Sequence, residues 1–203
     1  MKGLLVDFGG VLTSNVFESF RAFCQGEGLE PDAFVSLFRE EEARSDLRLV
    51  ETGEIEEHEF ADRVAARLGL AESEGLVDRL FAGMRPDYEM VEAVRTARGA
   101  GVRTGLLSNS IGAGRYDRAQ LRELFDEVVI SAEVGMHKPQ LEIYVLAAER
   151  IAVPPERCVF VDDLRENCEG AEDAGMVAIL HRGADTTLPE LERLLDIDFH
   201  LTP

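Results

Sequence analysis

The chain has 203 residues, a formal net charge of −19, 45% hydrophobic and 30% charged residues; that suits one globular domain, or a core with a modest insert, and excludes collagenous, mucin-like and low-complexity architectures. An acidic excess of this size repels polyanions, so nucleic acid and anionic membranes are poor partners, although one site can be locally positive and take a small phosphate. No window approaches eighteen uninterrupted apolar residues, so no membrane span is expected.

The first predicted element is a buried strand over residues 3–8 (GLLVDF). Lys2 and the apolar residues after it mimic a signal peptide, but Asp7 interrupts the run and no long apolar region follows. Helical patterns come next, over residues 17–26, 32–44, 55–68 and 72–83. Turns punctuate them at residues 28–31, at Thr52 and Gly53, at Gly69 and at Pro86. The pattern then changes to strict alternation. A helix over 87–100 carries Met90, Val91, Val94 and Ala97 at helical spacing. A strand over 102–107, a helix over 118–125 and a strand over 127–131 follow. Then come a helix over 140–151, a strand over 157–162, a helix over 166–174 and a strand over 176–180. The strands are near-continuous runs of Val, Ile, Leu and Phe, as expected of strands covered on both faces.

Alternating strands and helices predict an α/β fold with a doubly wound parallel sheet. Residues 1–13 and 86–203 would form a Rossmann-like core. Residues 14–85, without a convincing strand, would form a small helical cap inserted over the edge where strands end. The odd count of cysteines, Cys24, Cys158 and Cys168, has no CxxC spacing. It fits reduced thiols in a cytoplasmic protein better than disulfides or zinc.

Ligands of open parallel sheets bind beyond the carboxyl ends of the strands, and polar residues collect there from separate strands. Strand one ends at Asp7, followed by Gly9 and Gly10, which let the backbone turn tightly against a ligand. An aspartate there can attack a phosphorus or carbon electrophile and form an aspartyl intermediate. Strand two ends at Ser108 and Asn109, neutral donors that can bind phosphoryl oxygens without repelling a carboxylate. After strand three comes Lys138, a compact charge suited to the nucleophile and the transferring phosphate. Strand four ends at Asp162 and Asp163, adjacent carboxylates that are costly unless a cation compensates them. Mg²⁺, which prefers oxygen ligands, is the natural choice. With Asp7, the pair carries three negative charges, balanced by one Mg²⁺ and Lys138. Such a site could accept a phosphate dianion.

In order and spacing, DFGGVLTSN, LLSNS, GMHKP and VFVDDLREN resemble the four motifs of the haloacid-dehalogenase-like (HAD) superfamily, in the branch with a helical cap after the first strand. ETGEI resembles a recurrent cap segment. The resemblance covers essentially the whole chain. It implies strand order 5-4-1-2-3. It implies Asp7 as nucleophile and metal ligand, and the Gly9 carbonyl, Asp162 and Asp163 as further ligands. Ser108 and the Asn109 backbone would hold phosphate with the Gly10 turn, and Lys138 would stabilise charge. The reaction implied is Mg²⁺-dependent hydrolysis of a small phosphorylated substrate by a monomer or homodimer.

One residue departs from the pattern. Phosphatases of the family usually carry a second aspartate two residues after the nucleophile, as general acid and base. This chain has Gly9 there. Substrates with good leaving groups, a donor from the cap (Glu54, Glu56, His58 or Glu59) or a non-catalytic binding role are the alternatives, although some sugar-phosphate phosphatases share such a glycine. A 2-haloacid dehalogenase is a further alternative. It needs no Mg²⁺, and the acidic pair would repel its carboxylate substrate. A phosphonate-cleaving enzyme needs a cap lysine, and residues 14–85 contain none.

Overall fold

A computed structural model describes residues 2–112, 114 and 116–199; residues 200–203, which the sequence assigns to the core, lie outside the described residues. Five short strands make one parallel sheet: β1 (Gly3–Val6), β2 (Arg103–Ser108), β3 (Glu127–Ile130), β4 (Cys158–Asp162) and β5 (Val177–Leu180). Their order is β3-β2-β1-β4-β5, the expected one. β1 is central, with Gly3 beside Arg103 on one side and Cys158 on the other.

The helices are α1 (Val16–Gly26), α2 (Ala33–Leu37), α3 (Glu41–Glu51), α4 (Glu57–Leu68), α5 (Leu76–Phe81), α6 (Tyr88–Gly99), α7 (Arg118–Leu124), α8 (Ser131–Val134), α9 (Leu141–Arg150), α10 (Arg165–Asp173) and α11 (Ala184–Leu195). Alternation along each strand splits the core into two layers. Leu4, Val6, Leu106 and Val161 pack with Met90, Val94, Leu191 and Leu195 from α6 and α11. Leu5, Leu107, Val129 and Phe160 face the other way, against Ile143, Tyr144 and Ala147 of α9. Both faces of the sheet are therefore covered, which is why its strands read as continuous apolar runs.

The first five helices separate β1 from α6 and share an apolar cluster of their own, built on Phe23, Phe34, Val50, Phe60, Val64, Leu76 and Leu80. The chain enters and leaves them through one bridge, Thr13 against Pro86. Ser14 N–H donates to the Arg85 carbonyl at 2.7 Å, and Asp87 N–H to the Leu12 carbonyl at 2.9 Å.

Three elements differ from expectation. The single helix over 32–44 is two, α2 and α3, because Phe38–Glu40 leave helical geometry. The Arg44 guanidinium turns back to the freed carbonyls of Phe38 (3.2 Å) and Arg39 (2.9 Å), so a side chain stabilises the break. Past Leu180 no helix was expected, yet α11 runs through Pro189, a residue that reads as a breaker. Ser131 opens α8 rather than ending β3.

Candidate active site

The carboxyl ends of β1, β2 and β4 meet at one edge, at the mouth of a cavity of about 810 Å³ that runs up between the sheet and helices α1, α2, α3 and α5. Asp7 follows β1, and its N–H still pairs with the Val161 carbonyl at 2.9 Å. Asp162 ends β4 and is fully buried. Asp7, Asp162 and Asp163 each offer a carboxylate oxygen within 4.8 Å of the others. Lys138, 2% exposed, reaches in between. Its Nζ lies 2.8 Å from Asp7 Oδ1 and 2.6 Å from Asp162 Oδ2, and donates to the Leu107 carbonyl at 3.0 Å.

One lysine does not balance three carboxylates. Burial, opposed by Lys138 and reinforced by Asp162 and Asp163, pushes the Asp7 carboxyl up to about 7. Burial and the neighbouring Asp162 push Asp163 up to about 6, with Lys138 and Arg182 pulling back. For Lys138, burial works against the charge, but Asp162 and Asp7 outweigh it and hold the ammonium above the usual lysine range. The uncompensated negative charge, presented by hard oxygen donors on separate turns, fits a divalent cation such as Mg²⁺.

The remaining expected residues are brought to the same edge. Ser108, Asn109 and Gly9 line the cavity. Asn109 engages Lys138 twice: its Nδ2 donates to the Lys138 carbonyl (3.0 Å), and its Oδ1 accepts from the Lys138 N–H (2.8 Å). Its side chain thus positions the lysine. Gly10 has a different duty. Its N–H donates to Thr13 Oγ1 at 3.1 Å, so that amide is already engaged. Its φ is +77°, and a Cβ there would overlap the Asp163 carboxylate. At Gly9 a Cβ would stand 3.0 Å from a Val16 methyl, so the room beside it is partly filled.

Three site residues escaped the sequence reading. Asn167 on α10, 3% exposed, donates through Nδ2 to both Asp162 oxygens at 3.0 and 3.1 Å. With the Leu164 N–H, 2.9 Å from Asp162 Oδ1, it fixes that carboxylate. Its signal was present in VDDLREN, five residues after the aspartate. Tyr116 donates to Ser108 Oγ at 3.0 Å and packs edge-on against Phe8, ring centroids 5.1 Å apart. Glu51, last residue of α3, lines the cavity with Asp7, Lys138 and Asp163. Glu54, Glu56, His58 and Glu59, expected as candidate donors, are not among the cavity-lining residues.

The chain is similar to several known proteins. A family model for haloacid dehalogenase-like hydrolases matches residues 1–175. A sesquiterpene phosphatase of Aspergillus oryzae is 33% identical over 153 residues, 71% of this chain and 76% of that protein. A glyceraldehyde 3-phosphate phosphatase of Methanothermobacter thermautotrophicus is 37% identical over 117 residues, 56% of this chain and 50% of that protein. The match to bifunctional epoxide hydrolase 2 of Sus scrofa, 34% identical, spans 63% of this chain but only 24% of that protein. Among solved structures, a predicted HAD-like hydrolase from Porphyromonas gingivalis superposes with a TM-score of 0.73 at 21% identity, covering 98% of this chain and 99% of that one. A HAD family enzyme of Bacteroides thetaiotaomicron, in complex with magnesium and inorganic phosphate, has a TM-score of 0.66 at 23% identity, covering 88% and 93%.

Proposed function

The chain belongs to the haloacid dehalogenase-like hydrolases, and from that membership we propose that it is a Mg²⁺-dependent phosphatase working through an aspartyl-phosphate on Asp7. The observation that carries this reading is the convergence of three carboxylates within 4.8 Å around one buried lysine. Phosphatases among the relatives support it, as does the likeness of fold to an enzyme in complex with magnesium and phosphate. A 2-haloacid carries its own carboxylate, which this acidic cluster would repel.

The roles follow from the chemistry of each group. Asp7 supplies the attacking oxygen. Asp162, Asp163, Asp7 and the Gly9 carbonyl would hold Mg²⁺, which supplies charge neutralisation for the phosphoryl oxygens. Lys138 is held charged beside Asp7, where negative charge develops. Ser108, with its hydroxyl set by Tyr116, and the Asn109 backbone would bind phosphoryl oxygens. Residues 14–85 would act as a cap over a core of residues 1–13 and 86–203. The substrate is a small phosphorylated molecule and the setting cytoplasmic. Among the described residues no helix is long and apolar enough to cross a membrane.

Acetyl phosphate and an activated aryl phosphate test the proposal. Hydrolysis should appear with Mg²⁺ and vanish with a chelator. Turnover indifferent to the metal, or none in its presence, would overturn the proposal.

A further inference from the structure

Above the carboxylates the cavity enters the helical segment, and its walls change character. Phe17 and Phe20 of α1, Phe34 of α2, Phe38 just beyond it and Phe81 of α5 all face it. They form one aromatic cluster. Phe20 packs edge-on against Phe34 (4.8 Å), Phe81 (5.6 Å) and Phe17 (6.1 Å), and Phe34 against Phe38 (5.2 Å). Phe17, Phe20, Phe38 and Phe81 remain only half-buried. A cluster of this size left partly open loses hydrophobic stabilisation unless a ligand covers it. Arg44, Arg48 and Arg85 line the cavity; the first two are paired with Glu41, and Arg85 lies at the exit of the helical segment, next to Pro86. Val16, Val35, Leu47 and Met84 extend the aromatic wall, so its lining there is largely apolar, with Asp78 and Arg85 at its margin.

Resting on the phosphatase reading, we propose that the substrate is a phosphate monoester with an extended apolar body, a hydrocarbon or aryl alcohol phosphate rather than a sugar or polyol phosphate. The phosphate sits at Asp7 and Lys138 and the body lies against the phenylalanines. Primary alkyl phosphates from ethyl to decyl test this, because their leaving groups are matched. In the presence of Mg²⁺, kcat/KM should rise about fourfold per methylene until the chamber is filled. Phe38→Ser should cut the decyl-to-ethyl ratio at least tenfold. A flat series, with glycerol or hexose phosphate turned over as fast as decyl phosphate, would overturn the apolar class and leave the phosphatase standing. Should acetyl phosphate also fail, the phosphatase reading falls. Calorimetric affinities of decyl and ethyl phosphate then decide the apolar class, and equal affinities would overturn it.

An independent observation concerns the proton that Gly9 cannot supply. Glu51 lines the cavity beside the phosphate end. The turn after it sets its place: Gly53 has φ +72°, and a Cβ there would lie 2.5 Å from the Ala132 carbonyl oxygen, just past β3. We infer that Glu51 is the general acid and base of this site. As Asp7 bonds to phosphorus and the ester P–O bond breaks, the Glu51 proton passes to the leaving oxygen. The Glu51 carboxylate then takes a proton from the water that attacks the phosphorus of the aspartyl-phosphate, which frees Asp7 and phosphate. Burial, with Asp7 and Glu166 adding to it and Lys138 opposing, brings the carboxyl up to about 7, close to the working range of such a group. Glu51→Gln should cut kcat/KM for ethyl phosphate, which reports the phosphorylation step, about a hundredfold or more, and by at least ten times the factor for acetyl phosphate, whose leaving group needs no proton; kcat, which includes hydrolysis of the shared aspartyl-phosphate, should fall for both. Equal losses of kcat/KM on the two substrates, or none, would overturn the role. Wild-type turnover of acetyl phosphate checks the phosphatase reading separately.

Discussion

At the residue scale, Asp7, Lys138, Asp162 and Asp163 were legible because each closes an apolar run or sits beside a proline, and chemistry-bearing residues at such places are informative. Asn167 carried a local signal, its place in VDDLREN five residues past Asp162, but nothing in the spacing singled out its amide. Glu51 was not legible, because only the docking of α3 on the core brings it to the cavity, a contact with no local pattern. Asn167 supports a prediction of its own. Its amide spans both Asp162 oxygens, and outer partners of this kind are typically worth 10–100-fold in metal affinity or activity. Asn167→Leu should therefore weaken Mg²⁺ activation by about that factor while retaining the fold, as read from the Mg²⁺ dependence of kcat. An unchanged Mg²⁺ dependence would show that Leu164 N–H and Lys138 suffice to fix the carboxylate.

At the element scale, the five strands were readable to within a residue or two, because both faces of the sheet are covered and leave no amphipathic ambiguity. The helical segment was less readable. Asn15 caps α1 and Glu59 reaches back to the Glu56 N–H at the start of α4, but among the described residues no side chain caps the N-termini of α2, α3 and α5, and the break between α2 and α3 is satisfied by Arg44. The turn after α3 is where this segment meets the sheet, and a specific backbone approach makes it. Gly53→Ala introduces a Cβ against the Ala132 carbonyl and a left-handed φ at a non-glycine residue. It should lower stability by about 1–3 kcal/mol and also lower kcat/KM by displacing α3. Gly28→Ala is the control: its φ is the same, +72°, but nothing lies within 4 Å of the added Cβ. It should lose stability by thermal melting without the loss of kcat/KM. Equal kinetic effects of the two variants would argue that the turn does not seat α3.

At the scale of the whole molecule, strand order and alternation were expected and found, whereas the extent of the cavity and its aromatic wall were beyond sequence reading. One chain's periodicity does not reveal which helix faces converge. The molecule carries a net charge of −19, and three of its carboxylates meet within 4.8 Å at Asp7, Asp162 and Asp163. Mg²⁺ should stabilise the folded state. At a hundred times its Kd the gain is about 2.7 kcal/mol, or roughly 5–10 °C in Tm for a chain of this size. The sign with pH follows from carboxyls pushed up to about 7 and about 6. Above those values the carboxylates are free for metal, and below them protons compete. The Tm gain should shrink as pH falls from about 8 to about 5.5. A gain independent of pH, or absent, would place the cation elsewhere.

The nucleophile is tested most directly by rapid-quench mass spectrometry during turnover of acetyl phosphate with Mg²⁺. A phosphoryl adduct should appear on the peptide carrying Asp7 within a turnover and decay with product release. Asp7→Asn should show neither adduct nor hydrolysis. Steady hydrolysis by Asp7→Asn, or an adduct on any other residue, would contradict the account.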